Sequence, residues 1–483
     1  MLIDWISCLF LSIVLFVRSV VFFYRYRYIL TDKFNTRFCF ILVLFVLSMC
    51  FLLIRSTFIF TLLGWDGLGI VSYLLVTYYY SKSSLNSGLV TVLTNRFGDI
   101  NFLILIALLI NNYRWSYKTI FLNDNIIILL FALLIRTKSA QFPFSAWLPL
   151  AIAAPTPVSS LVHSSTLVTA GVYLAYRNLR LLNFNLIFYL SSSTLIISRY
   201  LALWENDFKK IIALSTLRQI ALLLFSIILY SNLLSFFHII RHALFKRILF
   251  LSRGNVLHSI FSVQDTRYIT NWSSTKKLTF IIFLIGNLCL IGAPFLCGFF
   301  SKDLLYENSL NELVIFSIII IRVGLTRIYS AKIVYKIVRE TKLYFFVRKD
   351  RKDSTLPLIA LFIRSIIFGF FIWWFQINLK CNMLVFGVKK YILLILVVLS
   401  SFIILSIGHV QMFIMKIIGL HSISTKLFSL FINYFKFYLH LDYGYTQVWT
   451  VKNFIYQWRI RLGSSYMIKP LFIVLILLYI ILL

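Results

Sequence analysis

Long apolar runs fill most of this 483-residue chain. A helix that crosses the ~30 Å hydrocarbon core of a bilayer needs about 20 apolar residues, and about fourteen runs of that length are found. β-Barrel strands would alternate polar and apolar residues, which these runs do not. The sequence therefore predicts an all-α polytopic membrane protein. The predicted spans lie near 2–24, 37–57, 58–80, 87–111, 125–148, 155–177, 185–204, 210–230, 232–252, 278–301, 312–338, 356–377, 384–407 and 468–483.

Composition excludes the main soluble classes. Hydrophobic residues make up 61% of the chain, and 47 Lys and Arg against 15 Asp and Glu give a net charge of +32. A soluble domain cannot cover that apolar fraction with a polar exterior. A nucleic-acid-binding protein carries its basic excess on a hydrophilic surface. We therefore expect no nucleic-acid partner, and we expect most of the positive charge to meet solvent and membrane lipids.

No pattern for a bound metal or nucleotide stands in the sequence. The six cysteines are scattered without a CxxC pair, so neither a disulfide framework nor a zinc or iron–sulfur site is predicted. His238 and His242 stand four residues apart, but no carboxylate follows them as in HExxH. Gly64, Gly67 and Gly69 do not make GxGxxG. We predict no cofactor and no metal in this chain.

Prolines mark two places where membrane helices are expected to break. Four of the seven prolines (Pro143, Pro149, Pro155 and Pro157) stand close together, and Pro294 interrupts another long run. Each frees a backbone carbonyl, which a membrane tolerates only inside protein or beside water. Interrupted helices in two parts of a bundle are typical of a transport path. A simple proline kink is the alternative at either place.

Charged residues inside apolar runs are the first candidates for function, because each costs about 3 kcal/mol near the bilayer centre. Asp66 has apolar residues on both sides. Asp99 follows Arg96 by three residues, a spacing that allows an ion pair on one helix face; anchoring a helix end is the alternative for that pair. Lys138 ends an apolar run just before the proline cluster, where a side chain that snorkels to the interface is the alternative.

Histidines and lysines later in the chain form the second group of candidates. One stripe on a single helix recurs every four residues, and it suits a proton relay because imidazole titrates near neutrality; a basic interfacial face is the alternative. The stripe consists of His238, His242 and Lys246. His163 stands among serines that can order water, although a packed core histidine is the commoner role. Lys302 follows the second break, with Asp303 beside it as a partner; an interfacial pair is the alternative.

Seven motifs occur in an order that resembles a known family. They are Gly64-Trp-Asp-Gly-Leu-Gly69, Asn95-Arg-Phe-Gly-Asp99, Lys138-Ser-Ala-Gln141, Ala154-Pro-Thr-Pro-Val-Ser-Ser-Leu-Val-His-Ser-Ser-Thr-Leu-Val-Thr-Ala-Gly171, Asp207-Phe-Lys-Lys210, His242-Ala-Leu-Phe-Lys246 and Phe300-Ser-Lys-Asp303. Together they resemble the chain 5 type of antiporter-like subunit of NADH–ubiquinone oxidoreductase, respiratory complex I. The resemblance is strong over about residues 20–340. Lys302 agrees with it, because the chain 4 type carries a glutamate at the comparable place.

The resemblance implies an architecture of sixteen membrane helices, with two inverted five-helix repeats and a lateral helix. The first two family helices have no counterpart before Gly64, which leaves about fourteen. The expected divisions are a shortened N-terminal helix (1–36), a first repeat (37–181), a second repeat (182–338), a charged loop with two helices (339–408), a lateral amphipathic segment (409–466) and a terminal transmembrane helix (467–483).

The resemblance also implies proton-translocating roles for the matching residues. Asp66 is expected to be the carboxylate at the next subunit, coupled to Lys138. Lys302 is expected at the exit side, with Asp303 beside it. The other candidates are Arg96, Asp99 and the hydrated central axis of His163, His238, His242 and Lys246. Two positions depart from the family, which usually has glutamate in place of Asp66 and glycine in place of Thr137.

The implied function is proton translocation in the mitochondrial inner membrane, driven by NADH-to-ubiquinone electron transfer elsewhere in the complex. The complex-level cofactors, FMN and iron–sulfur clusters, would lie outside this chain, as would NADH and ubiquinone. The expected partners are the chain 4-type subunit, other membrane-arm subunits, accessory subunits and lipids. An Mrp-type cation/proton antiporter subunit is one alternative. A structural brace of the membrane arm that moves no protons is the other.

Overall fold

A bundle of α-helices forms the part of the chain that the computed structural model describes, which is residues 4–29, 32, 34–54, 57–111, 125–228, 232–259, 264–266, 272, 276–293, 296–299, 301–302, 330, 333–334 and 355–367. Its helices are α1 (Trp5–Tyr28), α2 (Asn35–Leu53), α3 (Phe58–Val76), α4 (Lys82–Asn111), α5 (Asn125–Lys138), α6 (Trp147–Leu150), α7 (Thr156–Ser165), α8 (Leu167–Arg177), α9 (Phe184–Trp204), α10 (Phe208–Ile228), α11 (Asn232–Ser259), α12 (Lys277–Ile291) and α13 (Thr355–Ile367). Within these ranges β pairing is limited to one antiparallel bridge between Asp207 and Asp265.

Six stretches within these ranges are long and apolar enough to cross a membrane. They are Trp5–Tyr26, Asn35–Leu53, Phe58–Val76, Lys82–Asn111, Thr156–Arg177 and Phe208–Ile228. The last two are wholly buried, whereas the first four are 39–50% buried and so lie at the periphery. The prediction of a helical, multi-pass membrane protein is confirmed. The count of fourteen helices, the two repeats and the domain boundaries stay predictions.

Small residues set how closely the helices approach one another. A Cβ atom built on Gly64 in α3 would stand 2.6 Å from the backbone nitrogen of Leu52, so α2 and α3 pack almost backbone to backbone. The next residue, Trp65, is fully buried, and its ring meets Phe102 of α4 edge to face at 5.8 Å. This packing fixes the place of the Trp65 backbone, which matters for the site described below.

Three predicted spans end or break earlier than expected. The span predicted for 125–148 stops as α5 at Lys138, because the backbone turns out of the helix at Ala140 (φ 53°). The span predicted for 155–177 is two helices, α7 and α8, divided at Thr166. The span predicted for 278–301 stops at Ile291, where Gly292 takes a left-handed conformation (φ 91°) that suits glycine.

Several predictions fall outside the described residues. Asp303 and Pro294 are among them, as are the charged stretch 339–353, the lateral segment 409–466 and the predicted spans at 384–407 and 468–483. The spans predicted at 312–338 and 356–377 are described only at 330, 333–334 and 355–367. Of these, α13 packs through Leu358 and Leu361 against residues of α1, α11 and α12.

Candidate functional site

Lys138 lies at the buried end of α5, against α3. Its side chain is fully buried, so it does not reach the surface of the chain as a snorkelling lysine would. The ammonium donates a hydrogen bond to the Trp65 carbonyl and stands 4.1 Å from the centroid of the Trp65 ring. A carbonyl dipole and an aromatic face together hold this cation inside the bundle.

Two carboxylates share the electrostatic surroundings of Lys138. Asp99 and Asp66 both interact with its charge, and Arg96 interacts with all three groups. The predicted ion pair is present, with 3.5 Å between Arg96 Nη1 and Asp99 Oδ2. Asp66 is only partly buried, and its Oδ1 has no hydrogen-bond partner within the described chain. The structure therefore brings Asp66, Arg96, Asp99 and Lys138 into one cluster that reaches the bundle surface at Asp66 and Arg96.

The backbone freed after Lys138 is satisfied by protein groups. The Trp147 indole Nε1 donates to the Thr137 carbonyl at 2.9 Å, and Arg136 Nη2 donates to the Phe142 carbonyl at 2.7 Å. Thr137 packs tightly against Gly98 of α4, since a Cβ atom built on Gly98 would stand 2.2 Å from Thr137 Oγ1. The break beside Lys138 is thus a built part of the bundle, as a break at membrane depth must be.

The predicted stripe lies on α11 and faces polar groups of α10. His238, His242 and Lys246 are all fully buried. Lys246 Nζ donates to Ser215 Oγ at 2.6 Å, and His238 Nε2 lies 3.1 Å from Gln219 Oε1. Because an amide oxygen only accepts, the proton of the neutral His238 ring is assigned to Nε2. The basic interfacial face is therefore the wrong alternative for these residues.

A hydrogen bond joins this stripe to the second helix break. His238 Nδ1 lies 2.8 Å from Ser301 Oγ, one residue before Lys302. Lys302 is buried, and its ammonium donates to the Leu290 carbonyl and, at 3.4 Å, to the Cys289 carbonyl. These carbonyls belong to the last turn of α12, which the break at Gly292 leaves without helix donors. Lys302 thus occupies the C-terminal end of a broken helix, where a cation is favoured.

Two buried histidines, His163 and His242, lie where α7 meets α11. Neither ring nitrogen of His163 has a hydrogen bond to the described chain. The His163 ring instead stacks on Phe250 of α11 at 5.9 Å, and the Ser164 backbone lies beside the His242 ring. Buried polar atoms in a membrane protein are satisfied by protein or by ordered water, so His163 is a polar position suited to bind water.

Sequence reasoning missed several of the polar partners. Trp65, Ser215, Gln219 and Ser301 each contact a predicted residue, yet none was singled out. Ser215 and Gln219 carried a usable signal, because they are polar residues that stand four positions apart in an apolar run. The contact between Trp65 and Lys138 gave no signal in the sequence, since 73 positions separate the two residues.

Comparison with known proteins places this arrangement in a family. The family model described as "NADH:quinone oxidoreductase/Mrp antiporter, TM" matches residues 56–328. The chain belongs to this family. Family members 38% and 44% identical to it are named NADH-ubiquinone oxidoreductase chain 5, from Locusta migratoria and Anopheles quadrimaculatus. The match to the locust protein covers 96% of this chain and 84% of that protein. The match to the mosquito protein covers 69% of this chain and 60% of that protein. The resemblance found in the sequence is thereby confirmed.

Solved structures share the fold at low sequence identity. A chain of the Mrp complex from Dietzia sp. DQ12-45-1b matches with a TM-score of 0.73 and 21% identity, over 94% of this chain and 54% of that one. A chain of the membrane-bound sulfane sulfur reductase, an archaeal respiratory membrane complex, matches with a TM-score of 0.69 and 18% identity. This match covers 75% of the present chain and 80% of the reductase chain. Both establish the antiporter-like fold of this family in the chain.

Proposed function

We propose that this chain is the proton-translocating, antiporter-like subunit of a respiratory NADH–ubiquinone oxidoreductase in the mitochondrial inner membrane. One observation carries the proposal. The stripe on α11, called the row from here on, is fully buried and consists of His238, His242 and Lys246. His238 is joined through Ser301 to the helix break that holds Lys302. Buried ionisable groups cost free energy in a membrane and are kept where protons or ions pass.

The proton path follows from the order of these groups. The row on α11 offers proton-exchanging groups at one-turn intervals of about 6 Å, a distance that side chains and water bridge. The path passes from the Lys138 cluster through His163 to the row on α11, and the row leads on to Lys302, which Asp303 follows in the sequence. At each lysine a change in a neighbouring charge alters the free energy of holding a proton, which is sufficient to load or release it.

The Lys138 cluster is the proposed point of coupling to the next subunit. Asp66 and Arg96 are the members that are partly exposed, whereas Lys138 and Asp99 are buried. A cation on a neighbouring chain 4-type subunit would compete with Lys138 for Asp66, so that a charge change on one subunit is felt in the other. Other membrane-arm subunits, accessory subunits and lipids would surround the remaining apolar faces.

Redox chemistry belongs, in this proposal, to other subunits of the complex. FMN and iron–sulfur clusters would carry electrons there from NADH to ubiquinone, and this chain would hold no cofactor. Its share of the enzyme is the use of the released free energy to move protons. The predicted architecture of about fourteen spans, with two inverted repeats and a lateral helix, would carry that work along the membrane arm.

Replacing Lys302 by alanine tests the proposal. The assembled complex carrying Lys302→Ala should keep NADH oxidation and lose proton pumping, because the exit group is gone. The matched control is Lys276→Ala, since Lys276 is also buried but donates to the Asn255 carbonyl at 3.1 Å, away from the row. Pumping per electron is measured in proteoliposomes. Unaltered pumping in Lys302→Ala would contradict the proposal and favour the structural brace.

The Mrp-type antiporter remains the second candidate because the family description and one similar structure carry that name. A native gel separates the two. A complex I subunit migrates with an assembly that contains flavin and iron–sulfur clusters and oxidises NADH in the gel. Migration in an assembly without these groups would assign the chain to a stand-alone antiporter.

A further inference from the structure

Arg247 is a fully buried cation that the proton path does not use. It follows Lys246 on α11 but turns towards α7, where Nη2 lies 3.0 Å from both Ser164 Oγ and Ser165 Oγ. Its Nε and Nη1 have no hydrogen-bond partner in the described chain. Burying a guanidinium inside a membrane bundle costs free energy. Two hydrogen bonds to serine hydroxyls offset little of that cost, so we expect Arg247 to have a function.

The two serines are the last residues of α7, directly before the break at Thr166. This end of α7 is fixed to α11 at three consecutive positions. His163 stacks on Phe250, the Ser164 backbone lies beside His242, and Ser164 and Ser165 both accept from Arg247. Of these contacts, the pair of hydrogen bonds from Arg247 is the directional one, because a guanidinium fixes its acceptors in the plane of its N–H groups.

We infer that Arg247 is a positioning residue, which holds the broken end of α7 against His242 so that a proton passes between the first helix break and the central row. The inference rests on the proposed function and adds to it the point where the two parts of the path meet. Proton transfer needs its heavy atoms within hydrogen-bond reach, directly or through one water. A shift of ~1 Å in the α7 end is enough to slow such a step strongly.

Two sets of variants in the assembled complex test the inference. Arg247→Gln removes the charged donor, and the double variant Ser164→Ala with Ser165→Ala removes its acceptors while Arg247 stays. Arg247→Lys keeps the charge but replaces the planar guanidinium with a shorter, tetrahedral ammonium group, so it should give an intermediate result. The matched control is Arg253→Gln, since Arg253 is equally buried on α11 but donates to the Gln264 carbonyl at 3.1 Å.

The readout is protons pumped per electron in proteoliposomes, with the amount of assembled complex measured on native gels. Arg247→Gln and the double serine variant should each lower the number of protons pumped per electron, because displacement of the α7 end slows the proton-transfer step by about tenfold or more. Arg253→Gln should pump as the unmodified complex does. A purely structural role would lower the amount of complex and leave protons per electron unchanged in what assembles.

Three results would overturn the inference. They are normal pumping per electron in assembled Arg247→Gln, normal pumping in the double serine variant, and an equal loss in Arg253→Gln. If Arg247→Gln does not assemble, the double serine variant alone decides. Lys302→Ala separates this test from that of the proposed function. If it loses pumping while the Arg247 and serine variants keep it, only the positioning role fails; if Lys302→Ala still pumps, the proposed function fails.

Discussion

The close approach of α2 and α3 gives a sharp prediction, because two glycines of α3 differ greatly in the room around them. A Cβ atom on Gly64 would stand 2.6 Å from the Leu52 nitrogen and 2.9 Å from the Leu52 Cα and Cβ atoms. A Cβ atom on Gly69, five residues later on the same helix, would find its nearest neighbour, Asn95 Cβ, at 4.0 Å. Gly64→Ala and Gly69→Ala therefore add the same methyl group to one helix in opposite surroundings.

The expected magnitudes follow from these distances. Ordinary van der Waals contact begins at 3.4 Å, so at Gly64 the backbones of α2 and α3 must separate by about 0.8 Å, and overpacking of this kind costs about 1–3 kcal/mol. Replacing a helical glycine by alanine returns about 0.5–1 kcal/mol at either site. We expect Gly69→Ala to be neutral or slightly stabilising and Gly64→Ala to be about 1–3 kcal/mol less stable than Gly69→Ala.

The assay compares the two variants in the purified complex. Samples are heated in steps, and the fraction of complex that still contains this chain is read from native gels. Gly64→Ala should lose the chain at a lower temperature than Gly69→Ala and the unmodified complex. Its pumping should also fall, since the Trp65 carbonyl that holds Lys138 moves with α3. Equal heat stability of the two variants would refute the backbone-to-backbone packing of α2 and α3.

Further predictions concern the partners of two buried lysines. Trp65→Leu removes the ring beside Lys138, and with it a cation–π contact worth about 2 kcal/mol where water is excluded. The variant should assemble but pump about thirtyfold more slowly, and an unchanged pumping rate would contradict the role of the ring. Ser215→Ala removes the acceptor of Lys246 and should lower pumping about tenfold, the effect of losing one charged hydrogen bond. Thr216→Val is the control for Ser215→Ala, because the Thr216 hydroxyl donates to a carbonyl of its own helix. If Thr216→Val lost as much pumping as Ser215→Ala, the role of Ser215 as the acceptor of Lys246 would be contradicted.

The sequence was sufficient to predict several of the residues that carry charge into the bundle, but not buried arginines such as Arg247 and Arg253. Lys138 and Lys302 stand out because hydropathy changes abruptly at each, and the four-residue spacing of His238, His242 and Lys246 is a local property of one helix. The ion pair of Arg96 and Asp99 is local in the same sense. Such features follow from helix geometry and the cost of charge in hydrocarbon, and both are readable in a short window.

Other features depend on packing between distant segments and could not be read in this way. The Thr166 break has no proline at its position, so it gave no signal comparable to Pro143. The end of α5 at Lys138 was predicted ten positions too late, because residues 139–148 are apolar enough to continue a span. The acceptor of Lys138 is a backbone carbonyl of α3, and any residue type supplies a carbonyl.

The charged row of α11 also bears on how the protein is made. Its fourteen Leu, Ile, Phe and Val residues favour insertion by about 4–8 kcal/mol, whereas Arg241, Lys246 and Arg247 near its middle oppose it by about 8–10 kcal/mol. Released alone from a membrane insertase, α11 would not partition into lipid. It has to enter together with α7 and α10, which supply the hydroxyl groups that receive Arg247 and Lys246. A substitution in α10 or α7 can therefore act during synthesis, by leaving α11 stranded outside the bilayer before any proton is moved.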